Sequence, residues 1–386
     1  MMRPIDQDSG FQAYVLGLLD ALLSFDDPHT YVLFYRTPKW IGRFASSPKV
    51  KEVLISAADK FLWDQVAVPW RAWRERADVI FNPKFSVPLV AHCPVVMGLQ
   101  EPAPWAWPEH YERLDVLYQR LMLPLYCRRA AHLFPMAHWI LEENRRHLGL
   151  PLRDATVTWP APHKHLAPVE DRGALEEFRA RWNLPARYIL GVTRVDHPGL
   201  DLSTSFYPGK NPQIALRAFI RLRDRIPHDL VFAGRRVREF FLNLGFTEAD
   251  FVRVHFVGFV PFQELPKLYT LAEVAVHVPF YEGFGFGLMA GLACGCPTVT
   301  SKLGASPEVV RDASLLANPS DPEDVAAQIM RLINDPGLRA QLREKGMRRT
   351  SELTWERTAR LTLEGITQAV KGTREHFHLR PRVGGV

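Results

Sequence analysis

An apolar run, EVAVHVPF (273–280), passes directly into YEGFGFGLMAGLACGCP (281–297), and this junction constrains the fold more than any other stretch of the chain. A run with so little polar interruption suits a strand buried on both faces of a parallel sheet. The turn after it carries Gly283, Gly285 and Gly287, which let the backbone approach a ligand with no Cβ in the way. A helix is predicted to begin just beyond, over roughly 288–294. Its free N–H groups and positive dipole end would face that ligand, which makes an anion site. Glu282 stands at the rim, where a carboxylate accepts hydrogen bonds from sugar hydroxyls. Glycine-rich strand–helix turns serve many purposes, so the glycines by themselves leave the function open.

The pattern recurs on both sides of a break. In the second half RYILGVTRV, DLVFAGR, VRVHFVGFV and CPTVTS join EVAVHVPF as five short buried strands. In the first half TYVLFYRT (30–37), KEVLIS (51–56), ADVIFNP (77–83) and CPVVMGL (93–99) are apolar strands bounded by Pro or charge. FQAYVLGLLDALLSF (11–25) has helical apolar spacing. Strands alternating with helices give an α/β class twice over. A chain of 386 residues, 47% hydrophobic, is long enough for two such cores. Residues 1–165 are assigned to an N-terminal domain and 166–370 to a C-terminal one, with the Pro- and His-rich segment 159–171 between them. The polar, Gly-ended stretch 371–386 is expected to be a loose tail, and His163 and His165 to be solvated rather than ligating. The beginning is awkward, because only MMRPIDQDSG precedes the first helix where a parallel domain normally places a central strand. Either MMRPI is the stub of that strand or the strand lies upstream; the second is favoured.

Charge narrows the partners. Lys and Arg number 48 against 42 Asp and Glu, a net charge of +6, and the excess is too dilute and unclustered for a nucleic-acid protein. It suits phosphorylated small molecules or an anionic membrane surface. Cys93, Cys127, Cys294 and Cys296 lack metal-site spacing, and the last two are expected to be small buried residues. No apolar run is long enough to span a bilayer and no signal peptide opens the chain, so a cytoplasmic enzyme is expected. Trp63, Trp70 and Trp73 fall at helical spacing with Arg71, Arg74 and Arg76 interleaved. Core packing, a solvated basic face and contact with an anionic membrane all fit, with the basic face preferred to the membrane.

Taken in order, GVTRV (191–195), GKNPQIALRAF (209–219), the long stretch from VHFVGFV to YEGFGFG (254–287), GASPEVVRDASLLANPSDPEDVAAQI (304–329) and TWERTARLTLEGI (354–366) resemble family 4 of the retaining, nucleotide-sugar-dependent glycosyltransferases. The likeness covers about half the chain; SGFQAYVLGLLDAL, FLWDQVAVPW, ADVIFNP, VVMGLQE and LFPMAHWILEENRRHLGLP extend it more weakly through the first half. It implies the GT-B architecture, two facing Rossmann-like domains with parallel sheets and a cleft between them. It also implies transfer of a hexose from a nucleotide-diphosphate sugar to a carbohydrate or lipid-linked acceptor.

Residue by residue, Arg194 and Lys210 match the basic pair on the donor diphosphate, whose negative charge grows as the glycosidic bond breaks. Glu282 matches the first glutamate of the E-x7-E motif, which contacts the donor sugar. Amides around Gly285, Phe286 and Gly287 would hold phosphate oxygens, and Gly258 to Val260 fall where the family contacts the nucleobase. Gly10 matches a loop that reaches the phosphates from the other domain, and the closing helix is expected to pack back on the N-terminal domain. On the acceptor side Glu101 and Trp105 open a Pro/Trp loop; Trp105 and Trp107 either stack on a sugar ring or pack the loop down. Residues between Val195 and Pro208 form a longer connection than usual, a flap or a plain surface insertion. No cofactor and no metal are expected, since the basic pair and the helix end supply the charge and no Asp-x-Asp pair is evident at the cleft. Peripheral contact at the inner membrane face stays open.

Two departures stand out. Ala290 occupies the place of the second motif glutamate, which in the family grips the ribose hydroxyls. A charge-assisted hydrogen bond is worth about 1.5–3 kcal/mol, so donor binding would weaken about 10- to 100-fold without a substitute. Gln100 stands where a histidine commonly faces the donor sugar, keeping hydrogen bonding but no titratable role. A front-face retaining mechanism needs no protein nucleophile and survives both. With the missing first strand, they motivate a second reading: a non-catalytic relative acting as a binding or scaffold subunit.

Overall fold

The computed structural model describes residues 1–2, 5, 10–195 and 208–378. The connection 196–207 and the final residues 379–386, about which the sequence raised a flap and a tail, lie outside the described residues. The chain divides into two compact units. One holds Pro162–Leu353 with Glu109–Tyr111; the other holds the chain up to Pro108, Glu112–Ala161 and the segment from Thr354 onward. The expected boundary at 165 thus falls at Ala161, and the closing helix belongs to the first unit rather than to the second.

In the first unit β1 (Tyr31–Tyr35) pairs in parallel with β2 (Val50–Leu54), and β3 (Ile80–Asn82), β4 (Val95–Leu99) and β5 (His132–Pro135) form a second parallel set. Met1 and Met2 lie between the two sets. The Met2 N–H donates to Phe34 O at 2.9 Å, and the Met1 ammonium donates to Phe81 O at 2.8 Å. The first two residues thus bridge the two strand sets through their backbone. The strand His132–Pro135 was not anticipated: four residues ending in proline give too short an apolar run to read.

The second unit is a six-stranded parallel sheet of β6 (Tyr188–Val192), β7 (Asp229–Ala233), β8 (Val254–Gly258), β9 (Val274–His277), β10 (Thr298–Ser301) and β11 (Leu315–Ala317). Its order, β11-β10-β9-β6-β7-β8, is the doubly wound order of dinucleotide-binding folds. Alternate residues of each buried strand feed opposite cores, as the pleat requires. Ile189, Leu230, Phe232, Val274 and Val276 pack with helices Gln213–Leu222 and Pro322–Asn334. Tyr188, Leu190, Val231, Ala233 and Ala275 pack with Leu265–Leu271 and Phe286–Ala293 on the other face. All five strands expected in this half are present. The short edge strand Leu315–Ala317 was missed.

The closing helix, Trp355–His378, packs on the first helix, Gly10–Ser24, and on β5. It runs through residues 371–378, so the first half of the expected loose tail is helical. Two glycines set its approach. A Cβ on Gly17 would lie 2.4 Å from the Trp355 ring, and one on Gly365 would lie 2.6 Å from Phe134 Cε1. Alanine is about 1 kcal/mol better than glycine inside a helix, but overpacking a rigid ring contact costs about 1–3 kcal/mol. Gly17→Ala and Gly365→Ala are therefore expected to lower stability, whereas Gly372→Ala, with nothing within 4 Å of the added atom, raises it. Denaturant midpoints of the three variants check both signs.

Candidate functional site

In the second unit the connections after β6 and β9 leave the sheet in opposite directions, so a hollow opens beyond their C-terminal ends. Gly191, Val192 and Thr193 line it from β6, His277 and Val278 from β9, and Lys210 and Asn211 from the turn before helix Gln213–Leu222. Asn211 pins that turn. Its buried side-chain amide donates to Val278 O at 3.0 Å and to Pro319 O at 2.8 Å, while Gly209 O accepts from Phe280 N at 2.8 Å.

This anchoring brings Lys210 against Glu282, whose carboxylate accepts a hydrogen bond from the Lys210 ammonium. His277 Nε2 lies 3.6 Å from the same oxygen of Glu282. The Glu282 and His277 side chains are each 12% exposed and that of Lys210 is 31% exposed. Burial pushes the Glu282 carboxyl up, but the charge and hydrogen bond of Lys210, with His277 beside it, more than offset this and hold it at about 2. The backbone of Glu282 is fixed as well: its carbonyl accepts from Ala305 N at 3.1 Å. Gly304 comes so close that a Cβ there would sit 3.1 Å from the Glu282 carbonyl oxygen.

Three residues on, Gly285 adopts φ +87° and caps helix Phe286–Ala293. The left-handed turn is complete at that glycine, so the helix begins two residues before its expected start. Its first-turn N–H groups have no acceptor within the helix and point to the same edge of the sheet. Tyr269 OH donates to Gly287 O at 2.9 Å, bracing the turn from below. The glycine turn, Glu282 and Lys210 thus form one polar corner of charge, dipole and ionised carboxylate.

Not every residue singled out in the sequence joins that corner. Arg194 stands two residues beyond β6, in a connection tied across the strand ends: Thr193 N donates to Ala233 O at 2.9 Å and Gly234 N to Gly258 O at 2.8 Å. Gly258 closes β8, two strands from β6, and the Val260 side chain is 6% exposed within the core, leaving only its backbone to meet a ligand. Gly10, Gln100, Glu101 and Trp105 belong to the first unit. Gly10 starts its first helix, and Gln100 follows β4 with its carbonyl accepting from the Asn144 side chain at 2.7 Å. Trp105 is half-buried in the short helix Ala103–Ala106. Ala290 is buried, so no carboxylate stands on the second turn of the glycine-capped helix. His277 was overlooked, although a histidine closing an otherwise apolar run is a visible signal. The free thiols Cys294 and Cys296 are buried, as expected, and burial pushes Cys294 up to about 12.

Residues 203–349 match the family model described as glycosyl transferases group 1. The chain carries a domain of the group 1 glycosyltransferases. O-antigen chain mannosyltransferase B of Escherichia coli is 28% identical over 201 residues, covering 51% of this chain and 49% of that protein. D-inositol 3-phosphate glycosyltransferase of Salinispora arenicola is 31% identical over 183 residues, covering 42% of this chain and 39% of the relative. The chain thus spans about half the length, or less, of the curated relatives it matches. Among solved structures, Anabaena HepE in complex with UDP and glucose superposes with a TM-score of 0.68 at 18% identity, over 91% of this chain and 95% of HepE. The fold is that of the GT-B glycosyltransferases.

The pairing has a testable sign. Lys210→Met leaves Glu282 as a buried carboxylate without its strongest partner, at a cost of about 1–3 kcal/mol near neutrality. In the parent protein Glu282 titrates below its unfolded value, so its contribution is present above about pH 4.5 and fades as pH falls toward about 2. In the variant burial dominates and raises the carboxyl, so the deficit shrinks on acidification through pH 7 to about 5. Melting temperatures across that range should converge, and Lys210→Met/Glu282→Gln should recover part of the loss at neutral pH.

Proposed function

We propose that this protein is a retaining glycosyltransferase that moves a hexose from a nucleotide-diphosphate sugar to a carbohydrate or lipid-linked acceptor. The observation that carries the reading is the Lys210–Glu282 pair beside a glycine-capped helix end at the switch point of a doubly wound sheet. That corner offers three things a glycosyl donor needs. The helix amides would take the diphosphate as its charge grows, Lys210 would reinforce them, and ionised Glu282 would accept from sugar hydroxyls, while Arg194 would add its charge from the neighbouring end of β6. The group 1 domain and the mannosyltransferase relative support the assignment, and the UDP held by the structural neighbour supports a nucleotide donor.

The transfer needs no protein nucleophile. The anomeric C–O bond to the β-phosphate breaks and its electron pair stays on the phosphate oxygen. The acceptor oxygen forms the new bond on the same face, and its proton passes to the departing phosphate. No metal ion is called for, because Arg194, Lys210 and the helix end supply the counter-charge. The acceptor would be met through the first unit, where Glu101 and Trp105 follow β4. The protein would act in the cytoplasm.

Ala290 keeps a second reading in play, a donor-binding or scaffold subunit without turnover. Calorimetric titration with UDP and GDP, followed by hydrolysis of a panel of their sugars, separates the two. The transferase reading expects one nucleotide to bind and Arg194→Ala to weaken it by about tenfold or more, the loss of one charge-assisted contact. Binding without turnover of any donor favours the scaffold. No binding of either nucleotide overturns the assignment.

A further inference from the structure

The first unit turns two apolar helical faces outward. Arg113–Arg129 buries Leu123, Tyr126 and Cys127 but presents Leu114, Leu117, Leu121 and Leu125 to solvent, at 43–78% exposure. Those leucines recur every three or four residues, so they form one stripe along the helix. The helical segment from Lys60 to Arg74 does the same. Trp63 is fully buried, whereas Leu62, Val66, Trp70 and Trp73 are 43–61% exposed on one side. The equal treatment that the three tryptophans received on spacing alone is thereby corrected. The segments are neighbours: Lys60 Nζ lies 5.7 Å from the centre of the Tyr118 ring, and Gln65 Nε2 donates to Tyr126 OH at 3.4 Å.

A soluble protein seldom leaves so much leucine and tryptophan in water on adjoining elements without covering them. The charges say what covers these. The two segments carry seven Lys and Arg against two Asp, and one of those, Asp64, is buried in a hydrogen bond with Ser86. Arg74, Arg113, Arg120 and Arg128 are exposed, and Arg74 lies over the Trp70 ring at 5.0 Å. A second copy of the chain would set these cations against each other across a two-fold axis. A bilayer surface rich in anionic headgroups would instead take the leucines and indoles at the acyl boundary and the arginines at the phosphates.

We propose that this two-helix face docks the protein onto an anionic lipid surface. The contact is peripheral, since among the described residues no helix is long and apolar enough to cross a membrane. The full-length protein, without donor or acceptor, is sedimented with phosphatidylglycerol-rich vesicles and with vesicles of phosphatidylcholine alone. It should pellet with the first far more than with the second, and release as salt rises. Leu117→Gln/Leu121→Gln/Trp73→Gln should cut partitioning by about tenfold or more through lost apolar burial. Arg74→Gln/Arg120→Gln should cut it about fivefold per charge on the anionic vesicles and leave the neutral ones unchanged. All five positions are exposed, so unchanged melting temperatures establish that the variants fold. Equal binding to both vesicle types, or no effect of the substitutions, overturns the proposal. So does a concentration-dependent dimer that the leucine variant abolishes, which would assign the face to a second copy. Because no nucleotide enters the assay, its outcome is independent of the transferase reading.

Discussion

A carboxylate kept ionised inside the protein is the interaction on which the candidate site depends. Glu282 is buried enough that its own desolvation favours the neutral acid, and only Lys210 and His277 reverse that preference. The pair in turn needs its scaffold. Asn211 ties the Lys210 turn to Val278 and Pro319, and the Gly304 turn grips the backbone of Glu282. The ties draw on the ends of β9, β10 and β11, so the corner exists only when those strands are in register. Local chemistry at the rim is thus a readout of sheet assembly, and a defect in the sheet would reach the charge pair before any ligand were present.

The same logic explains how much was legible. The strands of the second unit could be read because both faces of the sheet are covered, which leaves unbroken apolar runs such as DLVFA and EVAVH. Leu315–Ala317 and His132–Pro135 escaped because three or four residues carry no period, and pairing with a neighbour rather than composition makes them strands. The glycine turn and Glu282 were visible from the junction of a strand with glycines. His277 stands out as the polar residue closing an apolar run, but its place beside Glu282 emerges only from the fold. Lys210 was read as a diphosphate clamp acting with Arg194, yet its nearest charge is Glu282, a contact between residues seventy-two apart that no local pattern encodes.

Trp63, Trp70 and Trp73 show the limit of periodicity from the other side. Their spacing is helical and the segment is helical, but the π-turn over Trp63–Ala67 rotates the faces, so the first indole enters the core while the other two leave it. An α-helical wheel would have placed all three together. Amphipathicity read from sequence assumes that the apolar side is the inward one. Here the helix Arg113–Arg129 has an apolar inward side and an apolar outward side, with arginines between, and only exposure distinguishes them.

Ala290 follows from the packing beneath the glycine turn. The residue is buried in the cluster that holds Tyr188, Leu190, Tyr269 and Cys294, so the second turn of helix Phe286–Ala293 is core. A glutamate there would face the same desolvation as Glu282 with no lysine to offset it, and would carry a proton or strain the helix. The polar character of this corner is therefore confined to the first turn of the helix and the residues just before it. A ligand entering this corner would meet Lys210, Glu282 and the free amides, and the second turn of the helix would offer it no charged group.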